Sequence, residues 1–141
     1  MALTHVVDIS VIKRLGQATV REVVEPLAAA GRLARAAITD LEVGYSARNA
    51  EEWDRLMGAL DAFEPVETTA GHIRRALQVQ RLLAQRSRRG RKIPDLLIAA
   101  AAEELDVSVL HYDATGSKVS PSPATSGTAT EACSARSRSA G

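Results

Sequence analysis

Four acidic residues that are far apart in the sequence each lie at the edge of an apolar segment. In an open parallel sheet, ligands bind at the carboxyl ends of the strands, where such edges meet. Several carboxylates stay ionised in one cleft only when a cation offsets their repulsion. Oxygen ligands favour hard cations, so the pattern predicts a site for Mg²⁺, with Mn²⁺ as the alternative. The four predicted ligands are Asp8, Glu42, Asp95 and Asp113.

Each of these residues also has a simpler interpretation. Asp95 follows Pro94, which suits the first position of a helix, and a carboxylate in the first helical turn is stabilised by the helix dipole. Glu42 is open to the same interpretation. Ser10 is either a helix cap or a residue that orients a carboxylate or a metal-bound water. The residues alone leave both interpretations open.

A basic stretch leads directly to Asp95. No acidic residue occurs between residues 68 and 94, whereas eight lysines and arginines do. A local excess of positive charge in a chain of net charge +1 favours contact with a phosphate backbone, although a solvated loop is the alternative. The predicted contact residues are Arg86, Arg88, Arg89, Arg91 and Lys92.

Alternating strand and helix patterns predict an α/β fold with a parallel sheet. We expect strands at residues 5–8, 35–38, 65–67 and 107–111, separated by helices at 19–31, 39–46, 51–63, 70–86 and 94–105. Thr19 with Glu22 is a candidate capping box, and Thr39 and Thr68 or Thr69 are candidate caps of later helices. A cap at Thr39 puts Glu42 in the first turn of its helix. His72 is expected to be a surface or packing residue.

Composition excludes several classes of function. Only 3% of the 141 residues are aromatic, so a base-stacking surface is not expected. The single cysteine, Cys133, fits a reducing compartment, and no apolar run approaches the ~20 residues of a membrane span, which predicts a cytoplasmic protein. Motifs of nucleotide-binding loops, zinc proteases and acyl-transfer triads are missing from the sequence. The remaining chemistry is metal-assisted hydrolysis of a phosphodiester.

Four segments together resemble the PIN-domain ribonucleases, and more closely the VapC toxins of bacterial toxin–antitoxin pairs. They are residues 6–10 (VVDIS), 39–49 (TDLEVGYSARN), 94–102 (PDLLIAAAA) and 109–113 (VLHYD). The resemblance covers about residues 1–113. It implies a PIN-like α/β/α sandwich with a central parallel sheet, and Asp8, Glu42, Asp95 and Asp113 as Mg²⁺ ligands. It also implies cleavage of RNA (tRNA or rRNA), inhibition by a VapB-type antitoxin, and a homodimer.

The sequence after Asp113 departs from this family. Residues 114–141 are rich in Ser, Thr, Ala, Gly, Pro and Arg, with Glu131 as the single acid. This composition predicts a disordered tail after a nuclease domain of residues 1–113. We therefore expect the last strand to be missing, a sheet edge to be exposed, and Asp113 to be poorly anchored. The abrupt change of composition is interpreted as a shifted reading frame.

Three functions follow from these patterns. The first is a Mg²⁺-dependent endoribonuclease toxin. The second is a catalytically impaired PIN protein that still binds an antitoxin. The third is a non-enzymatic nucleic-acid-binding module in which the acidic residues cap helices.

Overall fold

A computed structural model describes residues 2–87 and 92–123 of the chain. The elements in chain order are β1 (His5–Val7), α1 (Ile9–Ile12), α2 (Ala18–Ala29), β2 (Leu33–Ala36), α3 (Ala37–Tyr45), α4 (Ala50–Leu60), β3 (Glu64–Val66), α5 (Ala70–Gln85), α6 (Ile93–Leu105), β4 (Ser108–Asp113) and β5 (Lys118–Pro123). The five strands form one sheet in the order β3-β2-β1-β4-β5. Strands β1 to β4 are parallel to their neighbours, and β5 is antiparallel to β4. The expected α/β sandwich is confirmed, with a mixed rather than a purely parallel sheet.

The central strand β1 is apolar on both faces because helices cover both. Val7 belongs to a core cluster with residues of α1, α2 and α4. Val6 belongs to a second cluster on the opposite face, together with Ala34, Ala36 and Ile98. Helix α6 covers this second face, and α5 packs against α6 through a third cluster that includes Val79 and Leu96. This two-sided burial explains the near-continuous β-branched run that the sequence shows at β1.

Two predicted helix starts are wrong, and one is confirmed. Helix α2 begins after Gln17, which makes no side-chain capping bond, so the capping box of Thr19 is absent. Helix α3 begins directly after β2, with Ala36 as its N-cap. Thr39 therefore lies inside α3, and it is fully buried. Thr69 is the N-cap of α5, as predicted, because its hydroxyl accepts a hydrogen bond from the backbone of His72.

His72 is buried and connects α5 to α6. Its Nδ1 accepts a hydrogen bond from the backbone N–H of Thr69 at 3.3 Å, which completes the capping box. Its Nε2 lies 2.5 Å from Oε2 of Glu104. Because Nδ1 is an acceptor, the neutral ring carries its proton on Nε2 and donates it to Glu104. His72 is therefore a packing residue, one of the two roles expected from the sequence.

The expected loss of the last strand is wrong. Strand β5 pairs with the whole of β4, from Asp113 opposite Lys118 to Ser108 opposite Pro123. Val119 packs against the core cluster that contains Val7. An edge strand needs backbone pairing on one side only, so a segment with few apolar residues can form one. Residues 124–141, the rest of the predicted tail, lie outside the described residues.

Both edge strands of the sheet contain proline. Pro65 lies in β3, and Pro121 and Pro123 lie in β5. Proline cannot donate to a strand ladder and is therefore tolerated in sheets chiefly at edges. None of the helices in the described ranges is long and apolar enough to cross a membrane.

Candidate active site

Asp8 lies where β1 ends and α1 begins, at the carboxyl edge of the sheet. Its backbone N–H donates to the carbonyl of Leu110 at 2.9 Å, which extends the pairing of β1 with β4 by one residue. Asp8 is also the N-cap of α1, and its Oδ2 accepts a hydrogen bond from the backbone N–H of Ser10 at 3.0 Å. The carboxylate of Asp8 is thereby fixed at the edge of the sheet.

Glu42 reaches the same region from α3. Because α3 begins at Ala37, Glu42 lies beyond the first helical turn, where Asp40 is found instead. The expectation that Glu42 lies in the first turn is therefore wrong. Asp40 occupies the first turn, where a carboxylate is stabilised by the helix dipole, and its carboxylate pairs with Arg35 at 2.9 Å. The acid at the start of α3 therefore has a structural role. Glu42 is half-buried and is not explained by helix capping.

Asp95 lies in the first turn of α6, with Pro94 beside it, as the sequence predicted. It is half-buried. The N-cap of α6 is Lys92, whose side chain makes no capping bond because it has no acceptor. Lys92 and Asp95 therefore bring opposite charges to the same helix end.

The charges of neighbouring residues change the pKa of the Glu42 carboxyl. Burial raises the pKa of the Glu42 carboxyl, and the negative charges of Asp8 and Asp95 raise it further. Lys13 and Lys92 act in the opposite direction and lower the pKa of Glu42. The structure thus brings two of the other predicted acids, Asp8 and Asp95, within electrostatic reach of Glu42. We call Asp8, Glu42 and Asp95 the acidic cluster.

Asp113 lies at the end of β4, at the same edge of the sheet, but its carboxylate is used locally. Its Oδ1 accepts hydrogen bonds from the backbone N–H groups of Thr115 at 2.9 Å and Gly116 at 3.4 Å. Asp113 is not among the charges that shift the pKa of Glu42. Asp113 is thus anchored by the β4–β5 turn, and the expectation of poor anchoring is wrong. Its carboxylate binds the backbone of that turn.

Two features of the acidic cluster are typical of a cation site, and one is not. Oε1 of Glu42 is buried and has no hydrogen-bond partner, and neither has Oγ1 of Thr39, three residues earlier on α3. A buried polar atom without a partner is costly unless a water or an ion satisfies it. The departure is that, within the described residues, no three acid, histidine or cysteine side chains are close enough to enclose an ion. The donor set fits a hard cation, and closing the site requires the carboxylates to approach each other.

Ser10 connects Asp8 to the end of β4. Its hydroxyl oxygen accepts a hydrogen bond from the backbone N–H of Tyr112 at 3.0 Å. Arg14 donates to the carbonyl of Ser10 at 2.9 Å, and its guanidinium lies over the ring of Tyr112, 4.3 Å from the centroid. Ser10 is not the cap of α1, which is Asp8, and its hydroxyl connects α1 to β4 instead; its role in orienting a carboxylate or a metal-bound water stays a prediction.

The predicted phosphate-contact residues are only partly described. Arg86 is the C-cap of α5, and Lys92 is the N-cap of α6. Arg88, Arg89 and Arg91 lie outside the described residues. Lys13, whose charge acts on Glu42, was missed by the sequence analysis.

Comparisons with known proteins agree with this fold. The PIN domain family model matches residues 6–120, which is most of the chain. The chain is 68% identical over 114 residues to Ribonuclease VapC51 of Mycobacterium tuberculosis, covering 81% of this chain and 83% of that protein. It is 42% identical over 116 residues to Ribonuclease VapC21 of Mycobacterium tuberculosis, covering 80% of this chain and 83% of that protein.

Solved structures share the architecture at low sequence identity. VapBC2 from Rickettsia felis, bound to a DNA fragment from its promoter, aligns with a TM-score of 0.68 and 16% identity, covering 79% of this chain and 88% of that chain. This likeness supports the fold alone, whereas the family assignment comes from the sequence matches. On those matches, the chain belongs to the PIN-domain family and, within it, to the VapC ribonucleases.

Proposed function

We propose that this chain is a Mg²⁺-dependent endoribonuclease toxin that hydrolyses phosphodiester bonds of RNA. The observation that supports this most directly is Oε1 of Glu42, a buried carboxylate oxygen without a partner, in electrostatic contact with Asp8 and Asp95. A cation between these carboxylates would remove their mutual repulsion and satisfy that oxygen. Capping acids spread over a surface would not raise the pKa of Glu42.

The residues have distinct tasks in this proposal. Asp8, Glu42 and Asp95 hold the ion, and Asp113 joins them if its carboxylate leaves the turn that it now caps. Bound Mg²⁺ supplies a polarised phosphodiester and a water of lowered pKa. The overall reaction is hydrolysis, in which water adds to phosphorus, one P–O ester bond breaks, and a hydroxyl and a phosphate monoester are left. Ser10 keeps Asp8 in register with β4 during this reaction.

The basic residues before α6 bind the RNA backbone in this proposal. Lys92 brings a cation to the mouth of the acidic cluster, where its charge already acts on Glu42. Arg86, Arg88, Arg89 and Arg91 precede it in a stretch without acids. Contacts to phosphates fix the position of a strand without reading its sequence, so they suit a structured tRNA or rRNA substrate equally.

We further propose that a VapB-type antitoxin neutralises the chain in the cytoplasm. Several of the structural neighbours are VapBC complexes, and another is a toxin–antitoxin complex from Klebsiella pneumoniae. Binding over the carboxyl edge of the sheet would block access to the acidic cluster. An antitoxin-bound chain should therefore lose RNA cleavage without losing its fold.

A homodimer is supported by exposed apolar side chains on two helices. Leu41 and Tyr45 are one turn apart on α3 and are 72% and 93% exposed. Ile73 and Leu77 are one turn apart on α5 and are 50% and 57% exposed. Pairs of large exposed apolar side chains one turn apart on a helix favour a protein interface. Light scattering should report a dimer that Leu41→Ser with Tyr45→Ser converts to a monomer.

The nuclease proposal is tested by conservative substitutions at the two ends of α6. Asp95→Asn removes a predicted ligand, whereas Asp106→Asn removes the same charge at the left-handed C-cap of the same helix, a conformation that Asn tolerates. We expect Mg²⁺-dependent cleavage of labelled RNA by the parent and by Asp106→Asn, and none by Asp95→Asn or Asp8→Asn. Equal cleavage by all four proteins would exclude the proposed site.

The capture of Asp113 by its own turn favours a second candidate, an impaired PIN protein that binds antitoxin without cleaving RNA. Calorimetric titration with Mg²⁺ separates the candidates. The nuclease gives a saturable heat that Asp95→Asn abolishes. A stable complex with a VapB-type peptide, together with no Mg²⁺ heat and no cleavage, would favour the impaired protein. The non-enzymatic module predicts RNA binding that Asp95→Asn does not weaken.

A further inference from the structure

Lys13 is placed beside the acidic cluster by the shortest helix in the described part of the chain. It is the C-cap of α1, whose N-cap is Asp8, so the two residues are about one helical turn apart. Helix α1 contacts α3, which carries Glu42. The side chain of Lys13 is exposed to solvent. Its positive charge therefore lies at the α1 side of the cluster without being buried there.

The arginines that follow Lys13 are already engaged. Arg14 donates to the carbonyl of Ser10 and covers the ring of Tyr112. Arg21 donates to the carbonyls of Leu15 and Gly16. By contrast, the side chain of Lys13 forms no hydrogen bond or ion pair with any residue in ranges 2–87 and 92–123. Its ammonium is the cation in this segment that is left for a ligand.

Lys92 lies at the start of α6, which packs on the other face of the sheet from α1, since α1 belongs to the core cluster of Val7 and α6 to that of Val6. It is the N-cap of α6, three residues before Asp95, and it is exposed. Helix α6 also contacts α3. Both lysines lower the pKa of Glu42, so both lie within electrostatic reach of the cluster, from α1 and from α6 respectively. Two ammonium groups thus flank the carboxylates from two different helices.

We propose that Lys13 and Lys92 bind two phosphates of one RNA strand, on either side of the bond that is cleaved, so that the strand crosses the acidic cluster from α1 to α6. This inference rests on the proposed nuclease function and assigns the path of its substrate. A polyanion that approached the carboxylates without these charges would be repelled. A strand held at both sides presents the intervening phosphodiester to the cluster.

The test measures how RNA binding depends on salt. All proteins carry Asp95→Asn to prevent turnover, and binding of a fluorescein-labelled single-stranded RNA is followed by anisotropy at constant Mg²⁺ over a range of NaCl concentrations. Each phosphate contact contributes about 0.7 to the slope of log K against log salt concentration for a single strand. Lys13→Ala and Lys92→Ala should each make the salt dependence shallower, reducing the magnitude of the slope by about 0.7. Lys13→Arg should keep the parental slope.

The matched control is Arg32→Ala. Arg32 lies before β2 at the amino edge of the sheet, where its carbonyl accepts from Thr4 and His5. This variant removes one exposed charge far from the cluster and should keep the parental slope. An unchanged slope in Lys13→Ala, with or without altered Mg²⁺ affinity, would overturn the role of Lys13 and leave the nuclease proposal intact. A parent that binds no RNA at any salt concentration would overturn both.

Discussion

The hydroxyl oxygen of Ser10 accepts a hydrogen bond from the backbone N–H of Tyr112 at 3.0 Å, across 102 residues of chain. The backbone N–H of Ser10 donates to the carboxylate of Asp8, so one residue holds both the acid and the end of β4. Arg14 reinforces the contact from above the Tyr112 ring. The geometry of the candidate site therefore depends on a side chain that need not touch substrate or ion.

Ser10→Ala should weaken both the fold and the site. It leaves the N–H of Tyr112 without an acceptor, which should lower the free energy of unfolding by about 1–2 kcal/mol. The backbone N–H that holds Asp8 is unchanged in this variant, so RNA cleavage should fall only through release of the end of β4, by less than about 10-fold, the smallest loss typical when a direct partner of a metal ligand is removed. Urea denaturation and a cleavage assay measure the two effects. Ser10→Thr keeps the hydroxyl and should retain most of both, and equal behaviour of the Ala and Thr variants would contradict this role.

Glu42 should make the metal-free protein less stable as pH rises. Its folded-state pKa is raised, chiefly by burial, so the folded state holds this proton more tightly than the unfolded chain does. The favourable contribution is complete below the ordinary glutamate pKa and is lost as pH increases through the raised value. In EDTA, Glu42→Gln should therefore be more stable than the parent at neutral pH and equally stable in acid.

Urea denaturation of both proteins between about pH 4 and pH 8 measures this difference. Burial lowers the pKa of His5, which gives stability the opposite pH dependence, but this effect is common to both proteins and cancels in their difference. Saturating Mg²⁺ should abolish the advantage of Glu42→Gln, because the cation stabilises the ionised carboxylate. A difference that does not change with pH would contradict the assignment.

Arg35 should be one of the most important polar residues for stability. Its side chain is 13% exposed, pairs with Asp40, and donates to the carbonyls of Leu60 and Phe63. Arg35→Met keeps the apolar part of the side chain but leaves these acceptors without a donor, which should cost about 2–4 kcal/mol. Arg48→Met is the control. The side chain of Arg48 is 84% exposed, and its loss should cost less than about 1 kcal/mol. Equal losses in urea denaturation would refute this ranking.

Gly44 is required by the close approach of α3 and α4. A Cβ at this position would lie 2.8 Å from Nε1 of Trp53 and 3.1 Å from Cε of Met57. Gly44→Ala should cost about 1 kcal/mol, because about 1–3 kcal/mol of overpacking exceeds the helix propensity gained. Trp53 is the only tryptophan, so its fluorescence reports the displacement directly. Gly58→Ala, which meets nothing within 4 Å, should leave the emission unchanged. A Gly44→Ala spectrum identical to that of the parent would argue against the contact.

Elements with a distinctive first residue were predicted well. Thr69 and Pro94 mark the starts of α5 and α6 to within a residue, because capping and a fixed φ act locally. The boundary between β2 and α3 was misplaced by two residues because Ala34, Ala36 and Ala37 fit either element. The packing of α6 decides it, since the small side chains of Ala34 and Ala36 lie in the core cluster beneath that helix.

The site was predicted less completely than the fold. The acids at the ends of β1 and at the start of α6 follow from topology, whereas the turning of Asp113 towards Thr115 depends on a short turn whose conformation no periodicity encodes. Strand β5 was missed because the amino-acid composition indicates only whether a segment can be buried. It does not indicate whether the backbone of that segment pairs with a neighbouring strand. Lys13 was missed because a single lysine after a four-residue helix forms no pattern.

The prolines of the two outer strands limit how this chain can recognise another protein. Pro65 at one side of the sheet and Pro121 and Pro123 at the other interrupt the row of N–H donors that an incoming strand would use. Recognition by added strands depends on such main-chain bonds. A partner is therefore directed to the helices and to the carboxyl edge of the sheet. Its selectivity is then set by side chains, which can diverge between related pairs while the sheet stays the same.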